Sequence, residues 1–172
     1  MTKKEIIAAT STAYDGVLKT LNSVDESVFL RPQGQKWSIA ENVIHLEMSV
    51  KPLNLAYLLP KFVLNWRFGK PNRPSRTYDE LVARYRERVS GVVLAGTPFQ
   101  PLLPQGATKQ KIIQSFEKQH LIYFKRMDSW GEEDLDAIVL PHPALGKITL
   151  REMGFFTTLH LGLHHDIIKR YL

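Results

Sequence analysis

Apolar residues recur along this chain at helical spacing rather than at the alternating positions typical of strands. Between Lys109 and Met127, for example, they lie three or four residues apart and form one stripe. No two neighbouring segments combine alternating hydrophobicity with a turn signal, and the best short extended segment is 137–140. The pattern therefore predicts a mostly helical chain.

Four predicted helices begin with a capping box, in which a hydroxyl side chain and a glutamate three residues later satisfy two free backbone amides. The pairs are Thr2/Glu5, Ser38/Glu41, Thr77/Glu80 and Thr149/Glu152. With the periodic segment that starts near Thr108, they predict helices at about 2–22, 38–58, 77–93, 108–128 and 149–171. We expect Pro52 to kink or end the second helix, because proline lacks an amide donor.

Four of these helices are long enough to form an antiparallel bundle, with 77–93 as an inserted accessory helix. The length of 172 residues and the hydrophobic content of 44% fit a single domain spanning 1–172. Charged residues and prolines interrupt the most apolar region, 46–66, so no membrane-spanning segment is expected. The absence of a secretory pattern and of cysteine favours a cytoplasmic protein.

The net charge of +6 permits binding to nucleic acid, but the basic residues are dispersed, with local groupings at 67–76 and 84–88. Nucleic-acid binding would require a basic face together with a reading motif. We therefore predict a solvated basic surface and no nucleic-acid partner. Phosphate-binding glycine loops, a serine nucleophile elbow and a His-Glu-x-x-His motif are all absent from the sequence, which argues against nucleotide-dependent and serine-hydrolase functions.

The last predicted helix carries two histidines on its apolar side. Its seam is formed by Met153, Phe156, Ile167 and Tyr171. His160 and His164 continue this seam, and positions four residues apart lie one turn apart on the same face, so both rings can reach one ion. Because an unpaired buried ring nitrogen costs about 1–3 kcal/mol, the pair needs either a metal or a hydrogen-bond network. The spacing alone leaves both possibilities open.

Two segments carry a family resemblance. Residues 37–46, WSIAENVIHL, resemble the second helix of DinB-like proteins, and the run 142–165, which begins HPALG and ends HLGLHH, resembles the other end of the same family pattern. The resemblance implies a DinB-like (DinB/YfiT) four-helix bundle in which His45, His160 and His164 hold one divalent metal ion. Three protein ligands would leave coordination positions open to water or substrate.

Periodicity alone does not select His45, which lies roughly 120° from the centre of the apolar stripe on its helix. It can face the interior only if that helix contacts two neighbours, as helices in a bundle do.

Four further residues have competing interpretations, and a fifth has one. Glu41 could act on metal-bound water or orient the histidine one turn later, or it could serve only the helix cap. Trp37 could close a pocket or simply pack the preceding loop. His165 could lie behind the ligands or on the surface, and His120 could line the pocket, act as a fourth ligand or be an ordinary core histidine. We interpret His142, which stands between two prolines, as a loop residue.

The resemblance implies an enzyme that depends on zinc, nickel or manganese held by neutral imidazoles. The main hypothesis is hydrolysis of a small molecule by metal-activated water; the alternatives are transfer of a low-molecular-weight thiol from a cosubstrate, and a non-catalytic metal-binding stress-response bundle. An enzyme predicts a cavity of the order of several hundred Å³ beside the open coordination positions, whereas the non-catalytic alternative predicts a shallow site. A homodimer is also implied.

Overall fold

The computed structural model describes residues 1–34, 36–90 and 99–172. In chain order these ranges contain the helices α1 (Lys3–Ser23), α2 (Glu26–Leu30), α3 (Ile39–Ala56), α4 (Lys61–Phe68), α5 (Tyr78–Val89), α6 (Lys109–Asp128), α7 (Asp134–Ala137) and α8 (Leu150–Lys169), with strands β1 (Val139–His142) and β2 (Gly146–Thr149). All four predicted capping boxes are formed, at the starts of α1, α3, α5 and α8. The end of the predicted 77–93 helix, 91–93, lies outside the described residues.

The four long helices pack as a bundle. Helix α1 packs against α6 and α8, and α3 packs against the same two helices, while α5 lies against α8 as an accessory helix. The predicted all-α bundle is therefore confirmed, with a small hairpin added before α8. None of the helices in the described ranges is both long and apolar enough to cross a lipid bilayer.

Pro52 does not end α3, which continues to Ala56. Leu53 and Ala56 are buried, as is Tyr57 just beyond the helix. Their packing against the core outweighs the loss of one helical hydrogen bond at the proline.

The hairpin before α8 was only partly predicted. Strand β1 includes the end of the short extended segment 137–140, and it pairs antiparallel with β2, so that Leu140 lies opposite Ile148. Both of these side chains are buried. The interpretation of His142 as a loop residue is wrong, because it is the last residue of β1 and pairs with Gly146.

The buried apolar side chains form two clusters, and α8 contributes to both of them. In the first cluster the last α8 residue is Phe156, and in the second the first is Leu161. His160 thus lies where one apolar cluster gives way to the other, and His164 lies one turn further along, beside the second cluster. This boundary inside the bundle is where the polar candidate residues gather.

A buried ion pair fastens the segment before α5 to the start of α8. The Glu152 carboxylate is inaccessible to solvent, and Arg73 donates to both of its oxygens at 2.9 Å. The amide and the guanidinium of Arg76 donate to one of the same oxygens, at 2.9 and 3.1 Å. Two arginines of the predicted solvated grouping 67–76 are therefore structural, which corrects that part of the prediction.

Candidate metal site

The structure brings together the three histidines named by the family resemblance. His45 lies on α3, and His160 and His164 lie one turn apart on α8. One ring nitrogen from each can be chosen so that all lie within 4.8 Å of one another. The Nε2 atoms of His45 and His160 are separated by 3.1 Å.

The bundle explains why His45 faces inward although it lies off the apolar stripe. Helix α3 packs against both α6 and α8, so two of its faces are covered. His45 lies on the side toward α8, where its ring centroid is 4.9 Å from that of His160 and 4.8 Å from that of His164. The wider buried surface expected for this helix is confirmed.

Hydrogen bonds fix the proton position on two of the three rings. Nδ1–H of His45 donates to the backbone oxygen of Phe99 at 2.7 Å, since a carbonyl can only accept. Nδ1–H of His164 donates to Oδ1 of Asn42 at 2.7 Å, and the Asn42 amide is oriented by its own donation to the Ser38 carbonyl. In the neutral form, each of these two rings therefore has its lone pair on Nε2.

Burial keeps the three rings neutral. It lowers the pKa of His164 to about 3, with a further contribution from the charge of a protonated His45. Burial and the neighbouring histidines hold the pKa of His160 well below its usual value, and burial also lowers the pKa of His45. Neutral imidazole is the form that binds metal ions. The electrostatic setting therefore suits a cation.

The spacing of the nitrogens also fits a metal. Two nitrogens bound to one divalent ion at the usual bond length of about 2.0–2.1 Å lie roughly 3.0–3.4 Å apart. The 3.1 Å between the Nε2 atoms of His45 and His160 falls within this interval. The three-histidine group is therefore compatible with binding one metal ion.

Trp37 packs against two rings of the histidine group. The centroid of its ring lies 6.2 Å from that of His164, with an angle of 12° between the two ring planes, and 5.0 Å from the ring centroid of His45. Glu41 is engaged elsewhere, because its carboxylate accepts from the amide and the hydroxyl of Ser38 at 2.7 and 2.9 Å. The contacts of Glu41 are those of a helix cap.

The other two candidate histidines lie outside the group. His165 is turned toward α1, where Nε2 lies 2.8 Å from the Thr20 hydroxyl. His120 is fully buried, donates from Nδ1 to the Phe116 carbonyl at 2.9 Å and stacks on Tyr14 at 5.3 Å. Its Nε2 has no hydrogen-bond partner among the described residues. Neither histidine is part of the group that could hold one ion.

A cavity of about 330 Å³ lies directly against His45 and His160. Its walls come from α3, α4, α5, the β1–β2 hairpin and α8, and include Leu53, Phe68, Tyr85, Met153 and Phe156. No charged side chain is among the described residues that line it. The site thus combines a potential cation position with an apolar chamber.

Sequence reasoning missed three contributors to this site. Asn42 could have been noticed as a polar residue one turn before His45 on a helix rich in apolar residues. The Phe99 carbonyl carries no signal in the sequence, because any residue supplies a backbone oxygen. His142 was interpreted as a loop residue, and only the hairpin brings it into the cavity wall.

Comparison with known proteins identifies the family. A family model described as the DinB superfamily matches residues 8–168, a span that includes α3 and almost all of α8 and therefore all three histidines. No curated protein and no solved structure gives a significant match to the chain. Because the matched span covers nearly the whole sequence, the chain belongs to the DinB superfamily.

Proposed function

We propose that this protein is a divalent-metal-dependent hydrolase of a small molecule, with His45, His160 and His164 as the metal ligands. Zinc, nickel and manganese all accept imidazole ligands, and zinc and nickel favour them most. When bound, such an ion acts as a Lewis acid and lowers the pKa of coordinated water towards ~7.

The chain's own residues prepare the site for that chemistry. Asn42 and the Phe99 carbonyl hold two of the rings with the lone pair on Nε2, the atom directed toward the other histidines in the case of His45, so that little reorganisation is needed on metal binding. Trp37 packs on the ring of His164, and apolar side chains line the cavity beside His45 and His160, so the imidazoles lie in surroundings of low polarity that strengthen electrostatic interactions.

The observation that carries the proposal is the cavity against His45 and His160. Its volume of about 330 Å³ is within the range of small-molecule sites, and a non-catalytic metal-binding bundle would have no need of it. The lining gives less support to thiol transfer, because the described wall residues offer an anionic thiol cosubstrate no positive charge in addition to the ion itself. Hydrolysis of a substrate by activated water is the reaction that this chamber suits best.

Metal content of purified protein tests the ligand assignment. We expect about one equivalent of a divalent ion in the wild type, and none in His160→Ala or His164→Ala, whose helical circular-dichroism spectra should persist. His165→Ala is the matched control, because it removes a neighbouring imidazole on the same helix that lies outside the group. Equal metal in the wild type and in both ligand variants would refute the assignment.

Activity of reconstituted protein tests the reaction. Metal-free protein is loaded with zinc, nickel or manganese and assayed with p-nitrophenyl esters, and in parallel for consumption of a small thiol by an electrophile. We expect metal-dependent ester hydrolysis that His160→Ala removes and His165→Ala retains. Metal-dependent thiol consumption without hydrolysis would favour the transferase instead, and no turnover with any ion would contradict both enzymatic hypotheses.

A further inference from the structure

The hairpin places His142 in the cavity wall. Hydrogen bonds from the hairpin backbone determine which ring nitrogen of His142 carries the proton. The backbone amides of Ala144 and Leu145 donate to Nδ1 of His142, at 3.2 and 3.1 Å. A nitrogen that accepts two hydrogen bonds cannot carry a proton, so the ring is neutral and its proton is on Nε2. Burial supports the same state, since it lowers the pKa of His142 to about 4.

The ring of His142 is held between aromatic neighbours that share the cavity with it. It packs edge to face against Phe156 with a centroid distance of 4.2 Å, and it lies 6.4 Å from the ring of Tyr85. All three side chains line the cavity. Within the described part of the chain, His142 Nε2–H makes no hydrogen bond to a protein group.

The other small polar side chains in the wall have already used their donors. The Ser49 hydroxyl donates to the Leu46 carbonyl at 2.7 Å, and the Thr157 hydroxyl donates to the Met153 carbonyl at 2.9 Å. Both bonds stay within the residue's own helix. A ligand in the chamber therefore meets mainly apolar surface, and the polar side chains left to it among the described lining residues are Tyr85, the imidazoles of His45 and His160, and the oriented donor on His142.

The charges in the wall limit which ligands the apolar part of the cavity can hold. With no charged side chain among the described lining residues, a carboxylate, phosphate or ammonium group placed away from the histidine group would lose its hydration without gaining a counter-ion. An apolar group that carries one uncharged acceptor oxygen would lose little hydration free energy on entering the cavity, and it would gain the hydrogen bond from His142.

We infer that the cavity binds the apolar part of an uncharged carbonyl compound, and that His142 Nε2–H donates to its oxygen and positions it beside the histidine group. As a statement of the substrate class, this inference rests on the proposed function. In this role His142 selects compounds with an acceptor oxygen, and its preformed N–H donor polarises the carbonyl group. The bound compound would be an ester, amide or ketone with a short alkyl or aryl group.

Three ligands of similar shape test the inference on EDTA-treated protein. Acetophenone carries the uncharged acceptor, ethylbenzene lacks it, and benzoate replaces it with a charge; binding is followed by amide chemical-shift changes in the NMR spectrum. We expect acetophenone to bind about tenfold more tightly than either of the others, the size expected for one oriented hydrogen bond in an apolar site. Benzoate binding as tightly as acetophenone would overturn the inference.

Variants then assign the donor. His142→Phe keeps a ring in the wall and should weaken acetophenone binding about tenfold while leaving ethylbenzene binding unchanged. Tyr85→Phe is the comparison, because the Tyr85 hydroxyl is another possible donor in the same wall; if His142 is the donor, this variant keeps the preference for acetophenone over ethylbenzene. Loss of the preference for acetophenone in Tyr85→Phe but not in His142→Phe would overturn the assignment to His142.

A measurement on the wild type avoids any effect of substitution on the hairpin. Long-range ¹H–¹⁵N spectra of the imidazole distinguish the two tautomers, and we expect Nε2–H for His142 with a proton signal that shifts when acetophenone is added. A proton on Nδ1 would overturn the inference. Because all these experiments use metal-free protein, their failure would leave the metal assignment standing, and absence of metal binding would leave their outcome unchanged.

Discussion

The side chain of Asn42 determines which nitrogen of His164 is available to an ion. Its Oδ1 accepts from Nδ1–H at 2.7 Å, which leaves the Nε2 lone pair directed away from Asn42. Asn42→Leu removes this acceptor, so we expect metal affinity to fall about 10–100-fold, as is common when the partner of a ligating histidine is lost. Competition with a chromophoric chelator measures the affinity directly.

Asn42→Asp separates this role from simple packing. Aspartate keeps an acceptor oxygen of the same reach, although it loses the amide that donates to the Ser38 carbonyl. We expect it to retain metal affinity within about tenfold of the wild type. If Asn42→Leu binds metal as tightly as the wild type, orientation of His164 by Asn42 is not important for the site.

At the scale of single residues, the sequence predicted the inward positions of the histidines better than it predicted their hydrogen-bond partners. His160 and His164 followed from helical periodicity, because both lie on the apolar side of one helix. His45 needed the family resemblance, since its inward direction depends on the packing of α3 against both α6 and α8. Asn42 and the Phe99 carbonyl act through contacts between segments distant in sequence or through the backbone, which no local pattern encodes.

At the scale of elements, capping chemistry predicted the helix starts. Each box depends on four consecutive residues, so it can be found without knowing the fold. The short elements α2, α4 and α7 were missed, because they contain too few residues to show a helical period. The four-residue strands of the hairpin are stabilised by burial of Leu140 and Ile148 under the rest of the chain, which a local pattern does not reveal.

The buried pair between Glu152 and the arginines should contribute strongly to stability. Glu152→Gln leaves Arg73 and Arg76 without their shared carboxylate, so we expect the free energy of unfolding to fall by about 3 kcal/mol. Urea denaturation followed by circular dichroism measures this change. Glu132→Gln is the control, because its pair with Arg151 is half exposed and should contribute less than about 1 kcal/mol. Equal effects of the two substitutions would show that burial adds nothing to the Glu152 pair.

The same carboxylate predicts a pH dependence. Burial raises the pKa of Glu152, but the Arg73 guanidinium and the amides of Thr149 and Arg76 outweigh it, so the pKa lies below the ordinary 4.5. A lowered pKa in the folded state gives stability that is fully present above the unfolded pKa and is lost as the pH falls through the folded one.

The stability difference between the wild type and Glu152→Gln should therefore be constant from pH 7 to about pH 5 and should shrink at lower pH. Urea denaturation at a series of pH values measures this difference. The contributions of the other carboxylates cancel in it, because both proteins contain them. A difference that stayed constant or grew below pH 4.5 would contradict the lowered pKa of Glu152.

At the scale of the whole molecule, part of the positive charge has structural partners. Arg73 and Arg76 bind Glu152, and Arg151 binds Glu132 and Asp136. These arginines stabilise the contacts around α8 rather than forming a free basic face. The net charge of +6 is therefore a poor guide to a polyanionic partner, and absence of nucleic-acid binding stays our expectation.

Because the three histidines come from α3 and α8, a bound ion would link the second and last long helices of the bundle across the boundary between its two apolar clusters. An ion that binds the folded but not the unfolded chain stabilises the fold, by about 2.7 kcal/mol at a free concentration 100 times Kd. For a chain of this size that corresponds to a rise in Tm of roughly 5–10 °C.

Thermal denaturation with and without EDTA tests this linkage. We expect the wild type and His165→Ala to show the rise in Tm on metal addition, because their ligand set is intact, and His164→Ala to show none. The dependence on metal concentration should follow the Kd measured independently by chelator competition. A rise of the same size in His164→Ala would place the stabilising ion elsewhere, whereas no rise in the wild type at saturating metal would mean that the ion does not connect the two helices in the folded state.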